Sequence, residues 1–170
     1  MMPILHYRQG SMADLPQLLQ LSIDAYSEFE QVLSADNWAD FSGKLSDADS
    51  LRELMGKATT FVCEDGDRIA GVAYFMPNGN PSNIYQGDWC YIRKVGVHPE
   101  YRGYGIARRL TEMCIAHARQ TKEHTIALHT SEFMDAARHI YESLGFVVLR
   151  EIDPIFGKRY WLYQLDISNP

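Results

Sequence analysis

The sequence has no long apolar run. Nothing in its 170 residues approaches the roughly 18 consecutive apolar residues of a membrane-spanning helix, and no basic segment followed by an apolar stretch opens the chain. Membrane spans and a signal peptide are thereby excluded, and a cytoplasmic protein is expected. Cysteine is scarce: Cys63, Cys90 and Cys114 are odd in number and have neither metal-ligand nor Cys-x-x-Cys spacing. Reduced, buried thiols and no metal site are expected. Excess positive charge is also missing, with 16 Lys and Arg against 22 Asp and Glu, net −6. A broad basic surface for nucleic acid is excluded, although a local basic pocket for phosphates is not. An acidic surface favours amine-bearing partners. No repeat, low-complexity run or linker divides the chain, so residues 1–170 read as one domain. Its 46% hydrophobic and 22% charged content is near the globular average.

The pattern alternates between strand and helix periods. Ile4 to Arg8 reads as a short strand, followed by a helix from Met12 with Leu15, Leu18, Leu19 and Tyr26 at helical spacing. Ser34 to Gly43 is mixed and polar, and Ser46 to Gly56 reads as a second helix capped by Ser46. Thr59–Cys63 and Arg68–Phe75 flank Glu64-Asp65-Gly66-Asp67 as a hairpin. A third strand runs from Asp88 to Val97, a helix from Gly105 to Thr121, and a buried strand from Thr125 to His129. Phe133 to Leu144 is a helix stopped by Gly145, and Phe146–Glu151 and Arg159–Asp166 are the last strands. The predicted order β-α-α-β-β-β-α-β-α-β-β specifies an α+β fold with a mixed sheet, its one parallel crossover between Asp88 and His129.

One segment carries chemistry. Pro99 cannot donate to a central strand and ends it. Arg102, Gly103 and Gly105 then lead directly into an amphipathic helix. Such a turn exposes unpaired amides, and the helix dipole adds about half a positive charge there. Glycines allow an anion close to the backbone, and Arg102 and Arg108 offer charge-assisted hydrogen bonds. A phosphate or pyrophosphate is the predicted ligand group. Alone, Arg-x-x-Gly-x-Ala also fits a glycine-rich turn that binds nothing; the order strand, proline, loop, helix favours the anion site. A P-loop is disfavoured because Gly-Lys-Ser/Thr is absent, and a dinucleotide loop because Arg108 occupies the third glycine's place.

Val97-x-Pro-Glu-Tyr-Arg-Gly-x-Gly-Ile-Ala107 resembles the acetyl-CoA motif of the GCN5-related N-acetyltransferases (GNAT). Ala137-x-x-x-Tyr-Glu-x-Leu-Gly-Phe146 resembles that family's second signature. The likeness in element order runs from about Ile4 to Asp166. It implies a mostly antiparallel seven-stranded sheet flanked by about four helices, with a parallel pair splayed around the pantetheine arm. It further implies that Arg102, Gly103, Tyr104, Gly105, Ile106, Ala107 and Arg108 hold the pyrophosphate of acetyl-CoA. The backbone of Val95 and Val97 would pair with pantetheine, with Gly96 well placed for a bulge that opens the strands. The Val95 amide would polarise the thioester carbonyl, and Tyr141 would protonate the leaving thiolate.

Two positions depart from the family pattern: Met134 stands where many members carry asparagine, and Tyr91 where some carry a glutamate base. Glu28, Glu30, Asp36, Asp88 and His129 are candidates to receive the acceptor's proton, and none is singled out. Trp38, Phe41, Tyr85, Trp89 and Trp161 surround loops where an acceptor pocket can form. The expected activity is acetyl transfer to a primary amine, small molecule or peptide, by direct attack in a ternary complex. No cysteine lies in a nucleophile setting. A non-catalytic acyl-CoA sensor and transfer of a longer acyl group are the alternatives. A monomer or homodimer without membrane or nucleic-acid partners is expected.

Overall fold

A computed structural model describes residues 2–168. The elements are β1 (Leu5–Gln9), α1 (Leu15–Tyr26), α2 (Ala35–Leu45), α3 (Ala48–Lys57), β2 (Thr59–Asp65), β3 (Arg68–Met76), β4 (Cys90–Val97), α4 (Ile106–Gln120), β5 (Thr125–Ser131), α5 (Asp135–Ser143), β6 (Val147–Ile155) and β7 (Lys158–Asp166). The strands form one sheet in the order β1-β2-β3-β4-β5-β7-β6. Among the described residues only β4 and β5 run parallel; every other neighbouring pair is antiparallel. The α+β class and the mixed sheet expected from the sequence are present.

The sheet is central because its middle strands are apolar on both faces. In β3, Ile69, Val72, Tyr74 and Met76 join a core with Leu18 and Leu21 of α1 and Leu51 and Leu54 of α3. Ala70, Ala73 and Phe75 face the other way, onto Ile106, Leu110 and Cys114 of α4 and Tyr141 of α5. The two-residue period of a strand therefore sorts the helices: α1 and α3 cover one face, α4 and α5 the other. No helix among the described residues is long and apolar enough to cross a membrane.

Three expectations need correction. Ser34 to Gly43 is not irregular: Ser34 accepts from the Asn37 amide at 3.1 Å and starts α2, giving five α-helices where about four were expected. Its helical signal, Trp38, Phe41 and Leu45, is diluted by polar residues and Gly43. The next helix is capped by Asp47 rather than Ser46, the Asp47 carboxylate accepting the amides of Asp49 and Ser50. The β4 bulge lies at Lys94 and Val95, not Gly96. Gly96 stays in register with Val72 and Arg93 with Tyr74, leaving Lys94 and Val95 opposite Ala73 alone. Gly96 faces α1, where a Cβ built on it would meet the Ala25 Cβ at 3.4 Å, an ordinary contact.

The approach of α4 to the sheet is set at Gly71, where a Cβ would fall 2.6 Å from Ile106 Cγ2 and 3.3 Å from Leu110 Cδ1. Gly71→Ala should lower stability to urea by about 1–3 kcal/mol through overpacking. Gly43→Ala, with nothing within 4 Å of the added carbon on exposed α2, should raise it by about 0.5–1 kcal/mol. Equal midpoints for the two variants would contradict this packing.

Candidate active site

Parallel pairing between β4 and β5 comprises Cys90 with Ile126 and Tyr91 with Ala127, and stops there. Beyond it β4 stays with β3 and β5 with β7, so the strands diverge toward their C-terminal ends. The result is a slot through the sheet, part of a cavity of about 610 Å³. Ile92 and Leu128 point to the α4/α5 side, where Ala137 and Tyr141 line the wall. Arg93 and His129, one residue on, point to the side of α1–α3, where Tyr26, Phe41 and Tyr160 line it.

Immediately beyond β4, Arg102 to Gly105 form an exposed loop entering α4. Gly103 and Gly105 have φ of +87° and +76°, a left-handed backbone that side chains resist, and nothing lies within 4 Å of a Cβ built on either. Among the described residues the amides of Gly103 to Arg108 find no hydrogen-bond acceptor; the first intrahelical bond there is Arg109 N–H to Gly105 O, 3.0 Å. Unpaired amides at the positive end of a fifteen-residue helix fit a phosphate. The arginines do other work in this structure. Arg102 donates to Glu28 Oε2 at 2.8 Å and to the Ala25 carbonyl at 3.0 Å, bracing the loop on the last turn of α1. Arg108 donates to Ser143 Oγ at 2.7 Å, tying α4 to α5.

Inside the slot, Tyr141 is buried, its hydroxyl has no protein partner among the described residues, and burial pushes its pKa up. It is a protonated phenol, suited to give a proton and not to take one. Tyr91 is no base either: it donates to the Asn80 carbonyl at 2.9 Å, and burial raises its pKa. Of the five base candidates, His129 alone lines the cavity. Glu28 is bound by Arg102, and Asp88 lies 3.7 Å from His124 on the outer edge. Burial, and then the charge of Arg93, lower the His129 pKa to about 4, so its imidazole is neutral. Its Nδ1 is 2.5 Å from the Tyr85 hydroxyl, and that contact orients the ring. Met134, which departs from the asparagine of many members of the resembled family, lines the cavity and receives the Thr130 hydroxyl on its sulfur at 3.3 Å. The three cysteines are buried, with thiol pKa values raised, Cys90 to about 12, so none is a nucleophile.

Several cavity residues had no motif to mark them. Lys94 and Phe156 have φ of +53° and +52°, a conformation costly for long or bulky side chains. The bulge turns Lys94 toward the cavity. The tight β6–β7 turn delivers Phe156, which stacks on Phe41 at 4.7 Å. Left-handed backbone at a non-glycine residue leaves no trace in the sequence.

A family model described as the Acetyltransferase (GNAT) family matches residues 15–146. The chain belongs to this family. Membership makes it an acyltransferase, and its sheet with one splayed parallel pair is the GNAT fold. N-alpha-acetyltransferase 30 of Schizosaccharomyces pombe is 27% identical over 147 residues, 86% of this chain and 84% of that protein. L-amino acid N-acyltransferase MnaT of Escherichia coli is 34% identical over 112 residues, 59% of this chain and 58% of that one. The crystal structure of PaiA N-acetyltransferase from Thermoplasma acidophilum in complex with coenzyme A superposes with a TM-score of 0.78 at 11% identity, covering 96% of this chain and 99% of that one. The likeness to that structure is one of fold.

The neutral His129 has a consequence for stability. In the unfolded chain a histidine titrates near 6.5, whereas here its pKa is about 4. Between those values the unfolded chain binds the extra proton, so this contribution is complete above about pH 6.5 and is lost as pH falls toward 4. From pH 7 to 4 the wild type should lose roughly 2–3 kcal/mol more than His129→Gln in urea unfolding. Parallel stability curves would refute a buried neutral imidazole.

Proposed function

We propose that this acyltransferase moves an acetyl group from acetyl-CoA to a primary amine by direct attack within a ternary complex. The observation that carries the reading is the slot, with unpaired amides beyond β4 on the α4 side and a partnerless phenol inside. The open space at Gly103 and Gly105 and the unpaired amides of Gly103 to Arg108 fit a pyrophosphate. When bound, acetyl-CoA supplies an activated acetyl thioester. The backbone of Val95 and Val97 is assigned to the pantetheine arm, Val95 lying where β4 has left the β3 ladder. The Val95 carbonyl accepts from the Tyr26 hydroxyl at 3.1 Å, which ties the bulge to α1. The Val95 N–H is assigned to the thioester carbonyl oxygen, where negative charge develops.

As the amine nitrogen bonds to the acetyl carbon, the carbon–sulfur bond breaks and the thiolate takes the Tyr141 proton. The acylated nitrogen then sheds its surplus proton to solvent, and the Tyr141 phenol is reprotonated from solvent. The ammonium form of the acceptor must first lose a proton. The cationic groups Arg93 and Lys94 lower the pKa of a bound ammonium and so favour its neutral form, while neutral His129 accepts a hydrogen bond from it. The relatives named N-alpha-acetyltransferase and L-amino acid N-acyltransferase are consistent with an α-amine.

Incubation with acetyl-CoA and an amine panel should release free thiol and yield an acetylated amine detected by mass spectrometry. Tyr141→Phe should lower kcat about 100-fold with little effect on acetyl-CoA affinity. Gly105→Val should weaken acetyl-CoA binding in calorimetry by roughly tenfold or more, since φ of +76° strains any side chain. Undiminished affinity in folded Gly105→Val would remove the loop from the donor site.

A further inference from the structure

The half of the slot on the α1–α3 side is cationic, although the chain carries a net charge of −6. Arg93, the last in-register residue before the bulge, and Lys94, on it, both line the cavity. Among the described residues neither has a carboxylate within 4.0 Å or a hydrogen-bond acceptor. Both are partly buried, so solvent compensates their charge incompletely.

The nearby carboxylates make their closest contacts elsewhere. Asp47, the acid lining the cavity among the described residues, acts on Lys94 only from beyond 4.0 Å. It accepts the amides of Asp49 and Ser50 and, at 2.8 Å, the Ser50 hydroxyl. Glu53, in the shallower recess behind Arg93, lies 3.6 Å from Lys57. Lys44 stands at the rim, 5.2 Å from the Phe156 ring centroid, and is paired with Asp40 at 3.6 Å. Lys94, with a left-handed backbone, stands beside a like charge in the cavity.

We infer that Arg93 and Lys94 form a carboxylate subsite, and that the acceptor is a small amine carrying its own carboxylate, as in a free α-amino acid. The inference rests on the transferase reading above. The planar guanidinium suits a bidentate carboxylate, and Lys94 adds a point charge. With the carboxylate on Arg93, the α-amine faces His129 and the slot. The aromatic wall of Tyr26, Phe41, Phe156 and Tyr160 takes an apolar side chain. Polyamines, whose every functional group is cationic, are repelled. Peptide N-termini, which have an amide in place of the α-carboxylate, lose the charge-assisted contact.

The test compares L-phenylalanine, L-phenylalaninamide and spermidine as acceptors in thiol release with acetyl-CoA. It is run beside calorimetric titration of the protein–CoA complex with N-acetyl-L-phenylalanine and with its amide. Phenylalanine should exceed phenylalaninamide in kcat/KM by roughly 10- to 100-fold, with spermidine lower still. Arg93→Gln should bring that ratio near unity through KM, and Arg93→Lys should restore part of it. Spermidine or phenylalaninamide used as well as phenylalanine, or a ratio unmoved in folded Arg93→Gln, would overturn the subsite while leaving the transferase intact. Absence of transfer with Arg93-dependent binding of N-acetyl-L-phenylalanine would overturn the transferase reading and keep the subsite. Neither transfer nor binding would overturn both.

Discussion

Two residues of β4, Lys94 and Val95, lie opposite a single residue of β3, and this bulge governs the site. It bends β4 away from β5 just after their parallel pairing has begun, so the sheet opens where its centre is otherwise closed. A continuous ladder would have filled the gap with backbone hydrogen bonds and left the two faces isolated from each other. With the ladder interrupted, one face can present a donor and the other an acceptor to the same reacting atoms. The Tyr26 hydroxyl on the Val95 carbonyl ties the bulge to α1, so the helix that roofs the acceptor side also contacts the backbone of the proposed donor site.

The two mouths have opposite electrostatic construction. On the α4 side the positive potential comes from backbone amides and a helix dipole, which cannot be titrated and need no side chain. On the α1–α3 side it comes from Arg93 and Lys94, which are partly buried and, among the described residues, have no carboxylate within 4.0 Å. Burial first, and then the charge of Arg93, keeps His129 neutral beside them. Tyr141, on the other face, has only apolar and aromatic company, and its phenol keeps its proton for that reason.

Much of the architecture was legible in the sequence because it is local. Turn chemistry at Gly66 and Gly145, the proline at 99 and the alternation in β3 each act within a few residues, and each element they define is present. Polar dilution hid α2, whose helix depends on packing Tyr26, Phe41 and Phe156 against one another across the chain. The turn into α4 was readable because the positive φ at 103 and 105 favours glycine. Arg102 was not readable in the same way: its Glu28 partner lies in a different element, and no spacing rule links them.

The sequence by itself determined the strand and helix order, the glycine-rich entry to α4, the placement of Tyr141 one helix after the following strand, and through these motifs the family. Those features are encoded by short-range sterics and two simple periods. Only the tertiary structure decided that the bulge falls at Lys94 rather than Gly96, that Arg93 and Lys94 share a cavity with His129, and that Tyr91 is turned away to Asn80. Each of these depends on which residues of distant segments meet across a splayed sheet, and a one-residue change of register would send every one of them to the opposite face.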